Sequence, residues 1–398
     1  MPLKKSSETQ KLLNSVPEII KKTFPIPGRF RSSLPSRIAE LSRLLTNGRG
    51  ERSLSYLSRP ELLSAYLYYF LPWNLCRLCI LLPGLDLNLA AGDRIVDLGS
   101  GPLTLASALW ISRPDLHNIP LEITCIDRSA PALEAGKKFF AAIGGSGNWK
   151  INPVKEGVDF RKTGVTRNQK PAALVCAINL FNEVYENLPH NLNRGFDAKG
   201  LQQMAANSAR IMHGFASPSA SILTLEPGVP QSGRFISFLR NAFLELERPP
   251  KSPCPHNGDC PLSGAKKKWC HFSYDASNLW FGSAPEELKA LSKAAGIPKE
   301  RLVFSYLFTG SVSGNQAKSD SEKVRVISDA FPLPSDKSHA VKQGRYGCSA
   351  KGLVLLTGER SRIEKIASGD LAAAGKDVRF LADNEIDAKS GAIIAEVL

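Results

Sequence analysis

The sequence predicts an α/β fold: a Rossmann-like doubly wound sheet with an N-terminal helical extension and an inserted or C-terminal cysteine-rich metal-binding region. Three observations predict it. Strand-like and helix-like segments alternate over residues 91–248, a glycine turn follows the first strand, and a stretch rich in Pro, Cys, Gly and Lys ends the alternation at 249–280. Because such alternation is typical of parallel sheets with right-handed crossovers, we expect one in the middle of the chain.

The segment before the sheet, residues 1–90, is predicted to be a basic helical region. The first thirty residues look peripheral or poorly ordered, and seven arginines then follow within 29–60. A helix is predicted to begin at Ser58, because Ser-Arg-Pro-Glu is a capping-box pattern with proline in the first turn. We expect that helix to end at Pro72, since proline breaks a helix interior.

The remaining elements follow from periodicity. Strands are predicted at 94–97, 122–127, 149–154, 172–178, 219–225, 303–308, 324–328 and 353–356, and helices at 103–112, 130–143, 201–213 and 232–247. Residues 310–323 and 333–347 are interpreted as loops, and the chain from Ser361 gives no clear pattern. The predicted regions are 1–90, the sheet domain 91–248, a cysteine-rich region with the last strands of the sheet at 249–358, and a tail at 359–398.

The charge of the chain indicates a partner. Fifty-one Lys and Arg against 37 Asp and Glu give a net charge of +14. A protein this basic often meets a polyanion, of which nucleic acid is the commonest; the alternative is a basic surface without a specific partner. No membrane contact is expected, because Arg77 interrupts the longest apolar run. The polar start of the chain lacks a secretory signal. We therefore expect a cytoplasmic, monomeric protein, with the mitochondrial matrix as the alternative in a eukaryote.

A glycine turn, IVDLGSG at 95–101, carries the cofactor hypothesis. Asp97 ends a strand, and Gly99 and Gly101 let the backbone approach a ligand at the start of a helix. The dinucleotide fingerprint needs a third glycine where Thr104 stands, so NAD is disfavoured. An acid-x-Gly-x-Gly turn is typical of class I methyltransferases, which bind S-adenosylmethionine, although Leu103 replaces their usual third glycine. The alternative is a turn that only packs a helix on the sheet.

The next expected feature is an acid at the end of the second strand, which binds the ribose hydroxyls, and Asp127 fits it. The fourth strand ends in NLFNE at 179–183, which is neither an Asn-Pro-Pro-Tyr motif nor a Pro-Cys turn. Asn179 and Glu183 could contact cofactor or acceptor, or could cap the next segment. We assign no catalytic residue; the predicted cofactor-binding residues are Asp97, Gly99, Ser100, Gly101, Asp127 and Asn179.

The second distinctive stretch is PCPHNGDCPL at 253–262, followed by WCHFS at 269–273. Its three cysteines, Cys254, Cys260 and Cys270, lie in a loop with little apolar material, so metal bonds would supply its shape. Cys348 is the best candidate for a fourth ligand, with His256 and His271 as rivals. Four thiolates suit zinc or a [4Fe–4S] cluster, and the spacing alone leaves both open.

Other cysteines and a lysine run have plainer interpretations. Cys76, Cys79 and Cys176 lie in apolar segments and are interpreted as core residues. The lysines at 266–268 are a solvated charge run or, on a metal-pinned loop, a tip that contacts phosphate.

Together, the turn DLGSGPLT, the Pro-Trp-Asn turn at 72–74, the strand end LEPG at 225–228 and the cysteine loop resemble one family. It is the methyltransferase-like family associated with the mitochondrial small ribosomal subunit, with its bacterial relatives. The resemblance covers roughly 35–358. It implies a class I methyltransferase fold, and a [4Fe–4S] cluster on Cys254, Cys260, Cys270 and Cys348.

The resemblance also implies a role in assembly or function of the small ribosomal subunit, with rRNA as the target of the positive charge. Methyl transfer is not assured in this family. The leading hypothesis is therefore an S-adenosylmethionine-binding, iron–sulfur-containing assembly factor. The alternatives are an active rRNA methyltransferase, and a zinc-stabilised RNA-binding protein with a vestigial cofactor pocket.

Overall fold

Two β-sheets and an N-terminal helical layer organise the protein, seen in a computed structural model. The structure describes residues 7–46, 56–145, 147–160, 170–184, 198–263, 268–276, 286–297, 299–312, 323–334, 342–381 and 385–398. The helices are α1 Ser7–Thr23, α2 Gly28–Arg31, α3 Leu34–Leu45, α4 Pro60–Ala65, α5 Leu71–Leu81, α6 Thr104–Ser112, α7 Ala130–Ala142, α8 Phe181–Val184, α9 Ala198–Phe215, α10 Pro230–Glu245, α11 Glu286–Ala294 and α12 Arg360–Ile363.

The first sheet contains the strands β1 Asp93–Leu98, β2 Leu121–Asp127, β3 Trp149–Lys155, β4 Ala172–Ile178, β5 Ala216–Pro227, β6 Pro250–Ser252, β7 Phe272–Asp275 and β8 Arg301–Thr309. Their order is β3-β2-β1-β4-β5-β8-β6, with β7 also paired to β8. Strands β1 to β5 are parallel and β8 is antiparallel to β5. This is the expected Rossmann-like doubly wound arrangement, and the predicted strands and helices between 94 and 247 are confirmed within a few residues.

The order of the strands decides where a ligand can bind. The chain moves outward from β1 to β3, then returns to β4 on the other side of β1. A crevice opens at such a reversal, beyond the carboxyl ends of the strands. The loops that follow β1, β2, β4 and β5 therefore meet at one edge of the sheet.

The N-terminal segment corrects one expectation. The first thirty residues were expected to be peripheral, but α1 buries Leu13, Val16 and Ile20 in the main hydrophobic cluster. These residues recur at three- and four-residue spacing, which places them on one helical face. Thr9 donates a 3.0 Å hydrogen bond to the Ile111 carbonyl at the end of α6. The segment thus covers one face of the sheet domain.

The helix predicted to end at Pro72 continues through it. A π-helical turn, Tyr66–Phe70, joins α4 to α5, and a wider turn of this kind accommodates a residue that has no N–H to donate. Ser58 does not cap α4; Arg59 occupies the cap position and makes no side-chain cap bond. By length and composition the run Pro60–Gly84 could cross a membrane, contrary to our expectation, but 78% of its most apolar window is buried inside the protein.

The second sheet contains β9 Lys323–Val326, β10 Phe331–Pro332, β11 Lys342–Ser349, β12 Gly352–Glu359, β13 Leu371–Ala373, β14 Val378–Phe380 and β15 Ile393–Val397. Its order is β13-β9-β11-β12-β15-β14, with β10 beside β11. We expected the strands near 324 and 353 to complete the first sheet, and this is wrong: they pair with strands from the C-terminal segment. Cys348, expected in a loop, lies in β11, opposite Leu353 of β12.

Candidate cofactor cavity and cysteine site

The glycine turn after β1 is held against β2 by backbone hydrogen bonds. The amides of Gly99 and Ser100 donate to the Ile126 carbonyl at 2.8 and 3.0 Å. The Ser100 hydroxyl donates to the Asp97 carbonyl at 2.9 Å. Gly99 and Gly101 have φ values of +71° and +52°, which favour glycine. The turn is therefore fixed, and both glycines line a large cavity.

Leu103, which replaces the usual third glycine of the turn, has the left-handed backbone conformation that favours glycine. Its φ is +54°, in the left-handed region, although it carries a full side chain. Gly136 of α7 gives the turn its room: a Cβ there would lie 2.5 Å from the Pro102 carbonyl carbon and 2.6 Å from Leu103 Cδ1. The departure from the usual third glycine is thus accommodated by a glycine on the neighbouring helix.

Asp97 is almost completely buried, and neither of its carboxylate oxygens has a hydrogen-bond partner. Burial raises the pKa of Asp97 to about 8. The side chain borders a small void that Gly99, Ser100 and Asn179 also line. A buried carboxyl without a partner is costly, so this atom pair is suited to a donor that arrives with a ligand.

Asp127 is positioned by the turn itself. One carboxylate oxygen accepts from the Gly101 amide and the other from the Ser129 amide, both at 2.8 Å. Ser129 also caps α7, where its hydroxyl accepts from the Ala132 amide at 3.3 Å. Burial raises the pKa of Asp127, and these two amide bonds oppose that shift. Asp127 lines the cavity, at the place expected for an acid that accepts from ribose hydroxyls.

The end of β4 completes this side of the cavity. Asn179 has a φ of +53°, and its side-chain oxygen has no partner. Glu226 at the end of β5 accepts from the amides of Phe181 and Asn182 at 2.7 and 3.0 Å. Burial raises the pKa of Glu226 to about 8. Glu226 thus fixes the loop that aims Asn179, a role that the sequence analysis missed although it quoted the strand end.

The cavity measures about 930 Å³ and reaches across the whole carboxyl edge of the first sheet. At one end lie Asp127 and the residues after β3, and at the other lie Gly228, Trp269 and the start of β8. Tyr56, from the N-terminal layer, donates to Glu183 Oε1 at 2.8 Å and lines the wall between them. The volume is sufficient for a nucleoside-sized cofactor together with a second ligand.

Two cations on the cavity wall were not predicted from the sequence. Arg77 comes from α5 and Lys299 from the segment just before β8. More than two hundred positions separate them, so no local pattern could have brought them together.

The cysteine loop lies between the two sheets. Burial raises the pKa of Cys270, and the neighbouring thiols of Cys254, Cys260 and Cys348 act in the same direction. Burial likewise raises the pKa of Cys348, with further upward contributions from Cys254 and Cys260. All four predicted ligands therefore lie within electrostatic range of one another. Yet in the portion of the chain that the structure describes, no group of three or more His, Cys, Asp or Glu has the arrangement of a metal site.

Two arginines hold this loop from opposite sides. Arg240 of α10 donates to the carbonyls of His256 and Gly258 at 3.0 and 2.6 Å. Arg325 of β9 donates to the Pro253 carbonyl at 2.8 Å. Both arginines lower the pKa of Cys254, against the larger effect of burial. The loop is thus anchored to α10 and to strand β9 of the second sheet by cations that favour thiolate.

The rival ligands have other contacts. His256 Nε2 lies 3.4 Å from the Cys348 sulfur, beside the predicted set. His271 stacks on Trp269 with ring centroids 4.9 Å apart and bonds to the Trp269 carbonyl. Cys76, Cys79 and Cys176 are buried in α5 and β4, which confirms their interpretation as core residues. Of the lysine run at 266–268, Lys266 and Lys267 lie outside the described residues.

Comparison with solved structures finds similarity at low sequence identity. A methyltransferase from Thiobacillus denitrificans bound to S-adenosyl-L-homocysteine is 15% identical, covers 60% of this chain and 91% of its own, and has a TM-score of 0.30. Fibrillarin from Aeropyrum pernix with natively bound S-adenosyl-L-methionine is 17% identical over 45% of this chain and 69% of its own, with a TM-score of 0.28. The strand order itself confirms the expected Rossmann-like doubly wound sheet.

A family model is more particular. The family described as mitochondrial small ribosomal subunit Rsm22 matches residues 199–337. The matched range contains Cys254, Cys260 and Cys270, whereas the glycine turn and Cys348 lie outside it. No curated protein matches the chain.

Proposed function

We propose that this protein binds S-adenosylmethionine and acts on the small ribosomal subunit as a methyltransferase-like assembly or translation factor. The observation that carries the proposal is a pair of polar groups without partners among the described residues, Asn179 on the cavity and Asp97 on the small void that adjoins it, near the positioned carboxylate of Asp127. The fold, the matched family and the net charge of +14 support it.

The cavity residues fit this cofactor by their chemistry. S-adenosylmethionine carries an ammonium, a carboxylate, a sulfonium and two ribose hydroxyls. Asp97 and Asn179 Oδ1 would accept from the ammonium. Asp127 would accept from the hydroxyls, because its carboxylate is already oriented by two amides. A cation next to Asp97 would also favour its ionised form.

The second part of the proposal is a [4Fe–4S] cluster on Cys254, Cys260, Cys270 and Cys348. The donor set supports it: four thiols from two sheets lie within electrostatic range, and Arg240 and Arg325 would offset the negative charge of the thiolates. Zinc on the same thiols is the alternative. Such a group would join the loop to the second sheet, because Cys348 belongs to β11.

The partner and the location follow from the matched family. Its description, mitochondrial small ribosomal subunit, supports a ribosomal partner and favours the mitochondrial alternative over the cytoplasm. Binding to rRNA and a monomeric state remain our predictions. An active rRNA methyltransferase is the second candidate, and the room in the cavity for an acceptor beside the cofactor favours it.

The cofactor test is calorimetry with S-adenosylmethionine on protein purified without oxygen. We expect Asp97→Ala to weaken binding at least tenfold, about 1.4 kcal/mol, while leaving the iron content unchanged. Asp86→Ala, an exposed acid before the same strand, is the matched control. Unchanged affinity in Asp97→Ala would refute the assignment.

The metal and the partner are tested on the same preparation. Four iron atoms per chain, with visible absorption that is lost in air, support the cluster, whereas stoichiometric zinc contradicts it. Pull-down of immature small subunits tests the partner. Tritiated S-adenosylmethionine added to those subunits separates the two functions, because label in rRNA requires methyl transfer and its absence leaves the assembly factor.

A further inference from the structure

Two half-buried cations on the cavity wall have no carboxylate partner among the described residues. In Arg77, Nη1 donates to Asn74 Oδ1 at 2.5 Å, but Nε is buried without a hydrogen-bond partner. Lys299 lies close enough that the charge of Arg77 acts on it. Within the described ranges, neither side chain forms an ion pair with a carboxylate. Two like charges therefore lie within electrostatic range of each other on the wall of a cavity.

Their energetics favour an anion. Burial lowers the pKa of Arg77. Burial, followed by repulsion from Arg77, lowers the pKa of Lys299 to about 7. An anion between them would stabilise both charged forms, and charge-assisted hydrogen bonds of this kind are among the strongest in proteins.

Two other arginines of the fold have more protein partners. Arg248 is completely buried, and it donates to His213 Nδ1 at 3.0 Å and to the carbonyls of Ser217 and Ala220 at 2.7 and 2.8 Å. Arg301, on the same cavity wall as Lys299, forms an ion pair with Asp329. Arg77 and Lys299 both line the cavity, and among the described residues neither has a carboxylate partner.

The strand register places Lys299 away from Asp127. Lys299, Arg301 and Val303 alternate along the chain and all line the cavity. Strand β8 runs antiparallel to β5, so its first residues lie at the edge where β5 ends. Asp127 is on β2, four strands away, which corresponds to about 19 Å at the usual strand spacing.

An aromatic surface lies in the same half of the cavity. The stacked rings of Trp269 and His271 line it, and Trp269 is fixed by a 2.9 Å hydrogen bond from its indole N–H to the Gly228 carbonyl. Aromatic rings beside cations are the usual means of holding an unstacked base and its phosphate.

We propose that Arg77 and Lys299 bind a phosphate group of a nucleotide, and that the nucleotide belongs to an RNA chain. The anion site stands on the two uncompensated cations and is independent of S-adenosylmethionine. The assignment to RNA rests on the proposed function, since it takes the ribosomal partner as the source of the nucleotide.

The test uses the full-length, anaerobically purified protein, saturated with S-adenosyl-L-homocysteine so that nucleotides cannot enter the adenosine end. Uridine 5′-monophosphate, uridine and inorganic phosphate are each titrated by calorimetry. We expect the monophosphate to bind at least tenfold more tightly than uridine and than phosphate alone. Equal binding of uridine and its monophosphate overturns the anion site, and equal binding of phosphate and the monophosphate overturns the nucleotide.

Variants assign the effect to the two cations. We expect Lys299→Gln and Arg77→Met each to weaken the monophosphate about tenfold and to leave uridine unchanged. Lys293→Gln removes one exposed charge from α11, just upstream, and should change neither. If Arg77→Met does not fold, Lys299→Gln decides alone, and a monophosphate affinity equal to that of Lys293→Gln overturns the proposal.

A short uridine-rich RNA, measured in the same variants, tests the source of the nucleotide. A tenfold loss in Lys299→Gln, beyond that in Lys293→Gln, supports RNA, and equal losses overturn that assignment. The affinity for S-adenosyl-L-homocysteine is recorded in every variant. If the wild type does not bind S-adenosyl-L-homocysteine, the proposed function is refuted. The monophosphate titration is then repeated without S-adenosyl-L-homocysteine and still decides the anion site.

Discussion

The cavity and the cysteine site both contain buried polar groups, but these groups differ in their hydrogen-bond partners. At the cavity, Asp97 and Asn179 lack hydrogen-bond partners and border open volume. At the cysteine site, side chains hold the loop backbone: Arg240 and Arg325 donate to its carbonyls, and Ser305 donates to the Cys270 carbonyl at 2.7 Å, although Arg240 Nε and His256 Nδ1 have no partner among the described residues. Polar atoms without partners beside a void suit a ligand that exchanges. A loop that is hydrogen-bonded on both sides suits a permanent link, here called the joint: the proposed metal site of Cys254, Cys260, Cys270 and Cys348. Four predictions test this contrast, beginning with the largest effect.

Loss of one thiol should break the joint. We expect Cys270→Ser to lose its metal and to lower the free energy of unfolding by on the order of 3 kcal/mol or more, because metal binding is coupled to folding. Metal analysis and anaerobic denaturation measure both effects. Cys176→Ser, a buried strand cysteine, should keep the metal. Retention of metal in Cys270→Ser contradicts the joint.

The stability of the ligand-free protein should depend on the ionisation of Asp97. Its folded pKa of about 8 exceeds the ordinary value of 3.8, so its contribution is present below about pH 4 and is lost as the pH rises to 8. Asp97→Asn lacks this titration. We expect the variant to match the wild type at pH 4 and to be more stable by a few kcal/mol at pH 8.

Urea denaturation at both pH values measures this difference. Glu226 also titrates near pH 8, but equally in both proteins, so it cancels in the comparison. A constant difference across the pH range would show that Asp97 is not held in a desolvated site.

Closing the space behind the glycine turn should disturb only the cavity. In a helix, Gly→Ala usually stabilises, but a Cβ at Gly136 meets the Pro102 and Leu103 backbone at 2.5 and 2.7 Å. We expect Gly136→Ala to cost about 1–3 kcal/mol and to weaken S-adenosylmethionine binding, with metal content unchanged. Gly28→Ala, where a Cβ meets nothing, is the control for thermal unfolding. Equal stability of the two variants would contradict the packing argument.

The smallest effect concerns the contact between cavity and joint. Trp269→Phe loses one hydrogen bond, to the Gly228 carbonyl, and Trp149→Phe loses an equivalent bond to the Leu116 carbonyl. Each should cost about 1 kcal/mol in chemical denaturation. Only Trp269→Phe, next to Cys270, should speed metal loss to a chelator. Equal rates in the two variants would separate Trp269 from the joint.

The sequence was sufficient wherever structure is local. The glycine turn and Asp127 are found by reading along one strand–turn–helix unit, and their neighbours in space are neighbours in the pattern. By contrast, β13 and β14 have three residues each, too few for a period to emerge. Arg77 and Lys299 were not predicted, because only the folded structure shows that they line one cavity and have no carboxylate partner among the described residues. Helix α1 was missed because its charged ends obscured one apolar face.

The pairing of β11 gives assembly an order in time. Every strand of the first sheet precedes residue 310, so that sheet can form while the rest of the chain is still being synthesised. Cys348 takes its place only after β11 has paired with β12 and β9, and β12 in turn pairs with β15. Cys254, Cys260 and Cys270 are therefore synthesised before the strand that carries Cys348 can pair. A nascent chain therefore passes through a stage in which the first sheet is complete and the proposed metal site still lacks its fourth ligand.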